Sequence, residues 1–335
     1  MPTRQAGDLQ SRSRSVDSLL SGAVLGGGVM GRHHARILAT HPRTRLAGVV
    51  ESNGGRCDDW VDAELVHRSI EQLLDAGPPS FAVIALPTEA HAAAARALAE
   101  AGVHMLIEKP LAADSEAAHE IIEACRAGGV LAAVGHVERH NPAMLELRRR
   151  VLAGQVGELF IVAGERYGPF PDRVRDVGVV KDLATHDLDI LPWIAGQPVA
   201  AVAAQCFQRG GREHEDLIAV NGRLRDGVVL ALQVDWLSPV KARRTRVVGE
   251  LGMLVADTLN AELNFYEYAV PSGAVVPHSL AAREPLLSQM DAFCDLLEGR
   301  PGAQVVTLEE GLTAVRLAEA VLESAAREET ITIEA

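Results

Sequence analysis

Between residues 22 and 134, short apolar runs alternate with amphipathic stretches of helical period. The runs at 23–25, 45–50, 81–86, 103–107 and 130–134, with a weaker one near Leu65, are almost continuously Val, Ile, Leu and Ala. Strands covered on both faces have this composition, whereas strands with one wet face alternate. The intervening alanine-rich segment 88–101 stops at Gly102, with Thr88 as its expected cap; segment 114–128 begins at an aspartate and stops at glycine. Such βαβ alternation predicts an α/β unit with a doubly wound parallel sheet.

The rhythm changes after Asn141. A helix is expected at 142–153, a strand at 158–167, a loop at 168–180 and a helix at 181–194. Strands are expected at 199–208, 217–224, 228–237, 245–248, 253–257 and 262–268, several separated by short turns such as Asp226-Gly227. A meander of this kind predicts a second, α+β unit with a large, open, mainly antiparallel sheet. Helices at 285–298 and 308–327 complete the chain. The 335 residues therefore divide into a disordered leader (1–20), a Rossmann unit (21–140) and an α+β unit for substrate binding and oligomerisation (141–335).

The junction of the first apolar run with the first helix carries the most specific pattern. Residues 23–37 read AVLGGGVMGRHHARI, placing Gly26, Gly28 and Gly31 in a G-x-G-x-x-G turn between strand and helix, with Val29 and Met30 inside it. Glu51 stands twenty residues on, at the end of the second apolar run. The first glycine permits the tight turn, the second lets a pyrophosphate approach the backbone, and the third lets helix and strand pack closely. The helix N-terminus offers N–H groups to the phosphates, and Glu51 can accept the adenosine ribose hydroxyls. A carboxylate there repels a 2′-phosphate, which favours NAD over NADP.

Composition narrows the function further. A net charge of −13 argues against a nucleic-acid surface or an anionic membrane as partner. Four scattered cysteines (Cys57, Cys125, Cys206, Cys294) read as reduced residues of a cytoplasmic protein, and no apolar run approaches the ~20 residues of a membrane span. Residues 1–20 are polar, rich in Ser and Arg, and lack a signal-peptide core.

Ligands of a doubly wound sheet lie beyond the carboxyl ends of its strands. Glu108-Lys109-Pro110 follows the fifth strand there. Lys109 can present its ammonium to a substrate hydroxyl, or form a surface ion pair with Glu108. Asp182, His186 and Asp189 fall on one helix face at offsets of four and three. Histidine suits proton transfer to or from an alcohol; the same trio also fits a capped helix with a satisfied histidine. A metal reading lacks a third ligand, so no metal is assigned. In the segment 136–142 (HVERHNP), Arg139 and Asn141 can hold sugar hydroxyls or a phosphate, or merely cap the next helix. Tyr167, Arg173, Arg175 and Asp176 border a loop of the kind that binds ligands, with the arginines suited to a diphosphate. His33 and His34 read as packing or cofactor neighbours.

Taken together, GGGVMGRHHA, Leu86-Pro87-Thr88 with His91, Glu108-Lys109-Pro110, and Asp182 through His186 resemble the family of glucose–fructose oxidoreductase, inositol dehydrogenase and rhizopine catabolism proteins (Gfo/Idh/MocA). The resemblance spans about residues 22–195, and the later meander fits the family's second domain. It implies reversible hydride transfer between NAD(P) and a ring carbon of a sugar or cyclitol. By this resemblance Lys109 binds the reacting hydroxyl, His186 shuttles its proton and Asp182 supports both. The implied cofactor surface runs from the glycine turn and Glu51 to Leu86, Pro87, Thr88, His91, Glu108 and Lys109. The implied substrate surface takes Arg139, Asn141, Tyr167, Arg173, Asp182 and His186. GHVERHNPA and the segment 168–189 are most similar to members that oxidise position 3 of UDP-N-acetylglucosamine or related nucleotide sugars, where the usual pattern has Phe in place of His140. Inositol and free-sugar dehydrogenases, a non-catalytic NAD-binding regulator, and NAD-assisted glycoside hydrolysis are the competing readings. Family members are commonly dimers or tetramers joined through the open sheet.

Overall fold

The computed structural model describes residues 19–52, 57, 59–171, 177–268, 275–280 and 282–333. The expected leader lies almost wholly outside them. In chain order the elements are β1 (Leu20–Leu25), α1 (Val29–Thr40), β2 (Thr44–Val50), β3 (Val66–His67), α2 (Ile70–Asp75), β4 (Phe81–Ile84), α3 (His91–Glu100), β5 (His104–Glu108), α4 (Ser115–Gly128), β6 (Ala132–Gly135) and α5 (Pro142–Leu152). There follow β7 (Leu159–Pro169), α6 (Thr185–Ala195), β8 (Val199–Phe207), β9 (Leu217–Leu224), β10 (Val229–Asp235), β11 (Leu237–Gly249), β12 (Gly252–Asp257), β13 (Glu262–Glu267), β14 (Val275–Pro277), α7 (Pro285–Leu297), α8 (Leu308–Arg327) and β15 (Ile331–Thr332).

Among the described residues, the first six strands form one sheet in the order β3-β2-β1-β4-β5-β6, every pair parallel. All four residues of β4 are buried, as are four of the five in β5. The continuous apolar runs are thus explained by helices on both faces. The winding direction reverses between β1 and β4. The crevice at their carboxyl ends therefore receives the glycine turn from one side and the loop through Leu86, Pro87 and Thr88 from the other. Asp114 caps α4 by accepting from Ala117 N, and Gly129 closes it at φ 62°. Thr88 does not cap α3. It opens a 3₁₀ turn, Thr88–Ala90, and α3 starts at His91 without a side-chain cap.

The other nine strands form one sheet in the order β14-β13-β12-β11-β7-β10-β9-β8-β15. Most neighbours are antiparallel, but β7 and β10 run parallel, from Val229 opposite Ile161 to Asp235 opposite Tyr167. That pairing is possible because α6, β8 and β9 intervene and bring the chain back in the same direction. The strand expected at 245–248 is in fact β11, thirteen residues long, with its register broken between Leu237 and Ala242. Its polar first half, with Pro239 inside, hides the strand from an apolar pattern. The short edge strands β14 and β15 carried no pattern to read.

Helices α7 and α8 return to the first unit. Met290, Phe293 and Cys294 of α7 share a core with Val24, Ile37, Leu38 and Phe81. Leu308, Leu312 and Val315 of α8 pack with Ile107, Leu111 and Val134. A bridge from Val134 N to Val306 O (2.9 Å) stitches the approach to α8 onto β6. No helix among the described residues is long and apolar enough to cross a membrane.

Candidate active site

The glycine turn is shaped by what its backbone must approach. Gly26 sits at φ +104°, and a Cβ on it would lie 2.5 Å from Ala85 O. A Cβ on Gly31 would fall 1.8 Å from Gly26 O, so α1 can rest on β1 only with glycine there. Gly28 is different. It is the N-cap of α1, makes no side-chain cap bond, and a Cβ on it would meet nothing within 4 Å. No acidic side chain lies in the first turn of α1, and Val29 is exposed. The turn is thus an open cradle at a positive helix end, which fits the pyrophosphate of a dinucleotide. Glu51 lies against it, accepting from Gly27 N at 2.9 Å. This brings the acidic residue to the edge of the cradle, as the dinucleotide arrangement requires.

Two residues expected to touch the cofactor are occupied elsewhere. His91 is buried, with Nδ1 3.2 Å from Leu111 O and Nε2 3.0 Å from Leu86 O. It ties the loop after β4 to the loop after β5 rather than facing the crevice. Glu108 is also buried: it accepts from His34 Nε2 at 2.6 Å and from Lys109 N at 3.2 Å. His34 and Lys109 hold its carboxyl below the usual range against the cost of burial. Glu108 therefore links α1 to the lysine turn. The Lys109–Pro110 peptide is cis.

Lys109 crosses to the second unit. Its ammonium donates to Asp182 O at 2.6 Å and lies 3.7 Å from Asp182 Oδ1. Asp182 belongs to a π-helical turn, Val180–Ala184, that runs directly into α6; such turns concentrate at functional sites. His186 follows in the first turn of α6, half-buried, with no hydrogen-bond partner at Nδ1 among the described residues. Desolvation, then the positive charges of Lys109 and Arg166, then His136 and Arg243, hold its pKa well below 6.5. The imidazole is therefore neutral at pH 7, the form a general base needs, with a proton affinity lower than that of a free histidine. A cavity of about 370 Å³ opens where the units meet, lined by Thr88, Lys109, Lys181, Asp182, His214 and Glu215 among others. His186 does not line it, but its charge state is set in part by Lys109, which does. Glu215 shapes the wall, taking Val180 N at 3.0 Å.

Behind His186 lies a buried ionic layer that sequence reasoning missed. Arg166 is 3% exposed and donates through Nε to Asp187 (2.5 Å) and through Nη1 to Glu138 (3.1 Å). Arg139 was expected to meet substrate. Instead it forms a two-pronged pair with Asp189 (2.9 and 2.6 Å) and bonds Glu310. Its planar fork is matched to these carboxylates and spent on them. Asn141, also expected at the substrate, caps α5 by accepting from Ala143 N at 3.0 Å. Tyr167 is turned away by the pleat. Arg166, one residue earlier, points toward α6, so Tyr167 points to the opposite sheet face, beside Arg244. Arg173, Arg175 and Asp176 lie outside the described residues. His140 is buried, with its pKa pushed down to about 4 by desolvation and then by Arg139. Together they border a separate cavity of about 640 Å³ between α5 and α7, which holds none of Lys109, Asp182 and His186.

Comparison with known proteins agrees with this architecture. Residues 20–136 match the oxidoreductase family described as an NAD-binding Rossmann fold, and residues 144–255 match the GFO/IDH/MocA C-terminal domain. A UDP-N-acetylglucosamine 3-dehydrogenase of Acidithiobacillus ferrooxidans is 31% identical over 297 residues, 83% of this chain and 92% of that one. Its crystal structure superposes with a TM-score of 0.82 over 92% of this chain and 98% of its own. An inositol 2-dehydrogenase of Saccharopolyspora erythraea is 31% identical over 69% of this chain and 71% of its own. The WlbA dehydrogenase of Bordetella pertussis, solved with NADH and UDP-GlcNAcA, shares the fold at 23% identity, with a TM-score of 0.83 over 95% and 99% of the two chains.

Proposed function

Since this chain belongs to the Gfo/Idh/MocA oxidoreductases, NAD-binding dehydrogenases acting on CH–OH groups, we propose that it moves a hydride between the nicotinamide and a ring secondary alcohol of a sugar or nucleotide sugar. Position 3 of a UDP-N-acetylglucosamine-like substrate is the leading assignment. The similarity to the UDP-N-acetylglucosamine 3-dehydrogenase supports that substrate, and the observation that carries the hydride-transfer reading is the lysine of the first unit reaching Asp182 of the second at 2.6 Å, one turn from a neutral histidine. NAD, when bound, supplies the hydride acceptor or donor at C4 of its nicotinamide. Gly26, Gly28, Val29, Met30 and Gly31 hold its pyrophosphate and Glu51 its adenosine ribose. Leu86, Pro87 and Thr88 line the crevice beyond.

The chain's own residues then divide the work. Lys109 holds the substrate oxygen through its ammonium and stabilises the negative charge that grows there as the proton leaves. His186 takes that proton in oxidation and returns it in reduction. Asp182 fixes the lysine and offsets its charge. Because the His186 pKa lies well below 6.5, the base form persists from neutral pH into mild acid. Oxidation rates should therefore hold as pH falls from 8 through 6.5 and collapse only further down. A fall centred near 6.5 or above would contradict this arrangement.

The deciding experiment measures NADH formation over UDP-sugars, free hexoses and inositols, with wild-type protein and with Lys109→Ala and His186→Ala. Turnover of a UDP-sugar should fall about a hundredfold or more in each variant, while NADH fluorescence titrations stay near wild type. Near-normal turnover in either variant removes that residue's role, and turnover of inositol alone moves the enzyme to the cyclitol class. The similarity to inositol 2-dehydrogenases is what favours that second reading. We also propose self-association through the outer face of the large sheet, where Ile161, Val229, Ala231, Val248 and Met253 remain accessible.

A further inference from the structure

We propose that Arg243 anchors an anionic group of the substrate, a carboxylate or phosphate carried on or beside the reacting ring. This rests on the proposed dehydrogenase site and names the substrate class for it. Arg243 lies on β11 directly opposite Arg166 of β7, with which it pairs in register. Like charges facing each other across two strands are destabilising unless something neutralises both. Here Asp187 takes Nε and Nη2 of Arg166, and Glu138, whose Oε2 bonds nothing among the described residues, gives its Oε1 to Nη1 of Arg166 at 3.1 Å. Arg243 comes only to within 4.0 Å of the same Glu138 oxygen. No side-chain hydrogen bond of Arg243 occurs among the described residues. Its side chain is 40% exposed, whereas that of Arg166 is 4% exposed.

The direction of Arg243 is set by its neighbours. Arg166, Glu138, Asp187 and Asp182 all act on its charge, and Arg243 in turn acts on His186. Its guanidinium therefore stands on the same sheet face as the proton-transferring histidine and the aspartate that holds Lys109. Arg166 serves the fold, because its donors end in buried carboxylates. Arg243 carries a second positive charge that the fold leaves largely uncompensated, in a chain whose net charge is −13. A planar donor fork with open positions is suited to two oxygens of a carboxylate or phosphate. A neutral cyclitol offers no such partner.

The test uses full-length protein loaded with NADH, so that binding is read without turnover. Calorimetry would compare UDP-N-acetylglucosamine (a phosphate source), glucuronate (a carboxylate source), glucose and myo-inositol. Wild type should prefer one of the two anionic probes over both neutral ones, and the preferred probe identifies the group. Arg243→Ala should weaken that probe about tenfold or more, the loss expected for a charge-assisted bond. Its effect in turnover should fall on KM rather than kcat, and Arg243→Lys should recover part of it. NADH affinity should not change in either variant. Equal binding of the preferred probe by wild type and Arg243→Ala overturns the proposal, as does a wild-type preference for a neutral probe. If wild type oxidises only neutral polyols, the anchor fails and the dehydrogenase stands. If anionic sugars bind through Arg243 but no alcohol is oxidised, the dehydrogenase reading fails and the anchor stands.

Discussion

The glycine turn and the proposed lysine–histidine site are built by opposite means. The turn is made of backbone. Its shape depends on atoms that are missing, the Cβ atoms that Gly26 and Gly31 cannot carry without striking Ala85 and Gly26 itself. Its ligand-binding power comes from an open helix end and needs no side-chain donors. The lysine–histidine site is made of side-chain charge drawn from separate elements. Lys109 comes from the loop after β5, Asp182 from the π turn, His186 from α6, Arg166 from β7 and Arg243 from β11. Lys109 and Arg166 each stand beside a carboxylate that offsets their charge, whereas Arg243 comes only to within 4.0 Å of one. A backbone cradle can be encoded within ten residues, whereas a charge cluster of this kind needs most of the chain. The contrast predicts that substitutions at the turn act through shape and those at the site act through protonation and charge.

The sharpest test of this contrast is Gly31→Ala. Its methyl would sit 1.8 Å from a backbone oxygen that cannot swing aside, so we expect a loss of about 3 kcal/mol or more, read as a large fall in melting temperature. Gly28→Ala should leave that temperature within about 2 °C, because its methyl meets open space, and should instead weaken NADH binding about tenfold. If both variants unfold, the turn is a packing element only. Next in size come Lys109→Ala and His186→Ala, with the hundredfold loss of turnover given above and an intact fold. Should either variant lose NADH binding as well, cradle and charge cluster are one unit and the comparison fails.

A smaller effect concerns His140. Its folded pKa is about 4 against 6.5 when exposed. The unfolded chain therefore binds more protons between those values, and stability drops as pH falls through that window. At pH 5 the deficit is about 2 kcal/mol. His140→Phe should remove it, flattening the plot of melting temperature against pH between 6.5 and 4 while changing little at pH 8. The smallest effect is Thr307→Ala, which opens the capping box between Thr307 and Glu310 at the start of α8. It should cost about 1 kcal/mol in denaturant unfolding and leave turnover unchanged. A marked loss of activity would mean that Glu310, which also bonds Arg139, reaches the site through that pair.

Much of the first unit was legible because its signals are local. The glycine spacing, the aspartate cap of α4, and Glu51 at the end of β2 each depend on neighbours in sequence. Lys109 was legible because it follows a strand of recognisable composition. Partner choice among polar residues was not legible. Arg139, Asn141 and Arg166 are equally plausible ligands in a string of letters. Only the fold shows that one meets Asp189, one caps a helix and one is buried against Asp187 and Glu138. His34, which now links α1 to Glu108, read simply as a neighbour. The parallel β7–β10 pair was hidden too, because the direction of a strand is set by what lies between it and its partner.

The amino-acid sequence alone determined the two kinds of sheet and the glycine turn that cradles a dinucleotide. These follow from periodicity and from steric limits on the backbone. Tertiary structure alone decided that α7 and α8 fold back onto the first unit, that Tyr167 faces away, and that Arg166 is neutralised while Arg243 largely is not. Those outcomes depend on which charges and surfaces meet across long stretches of chain. Coulombic pairing and burial are properties of distance in space, and no local pattern records them.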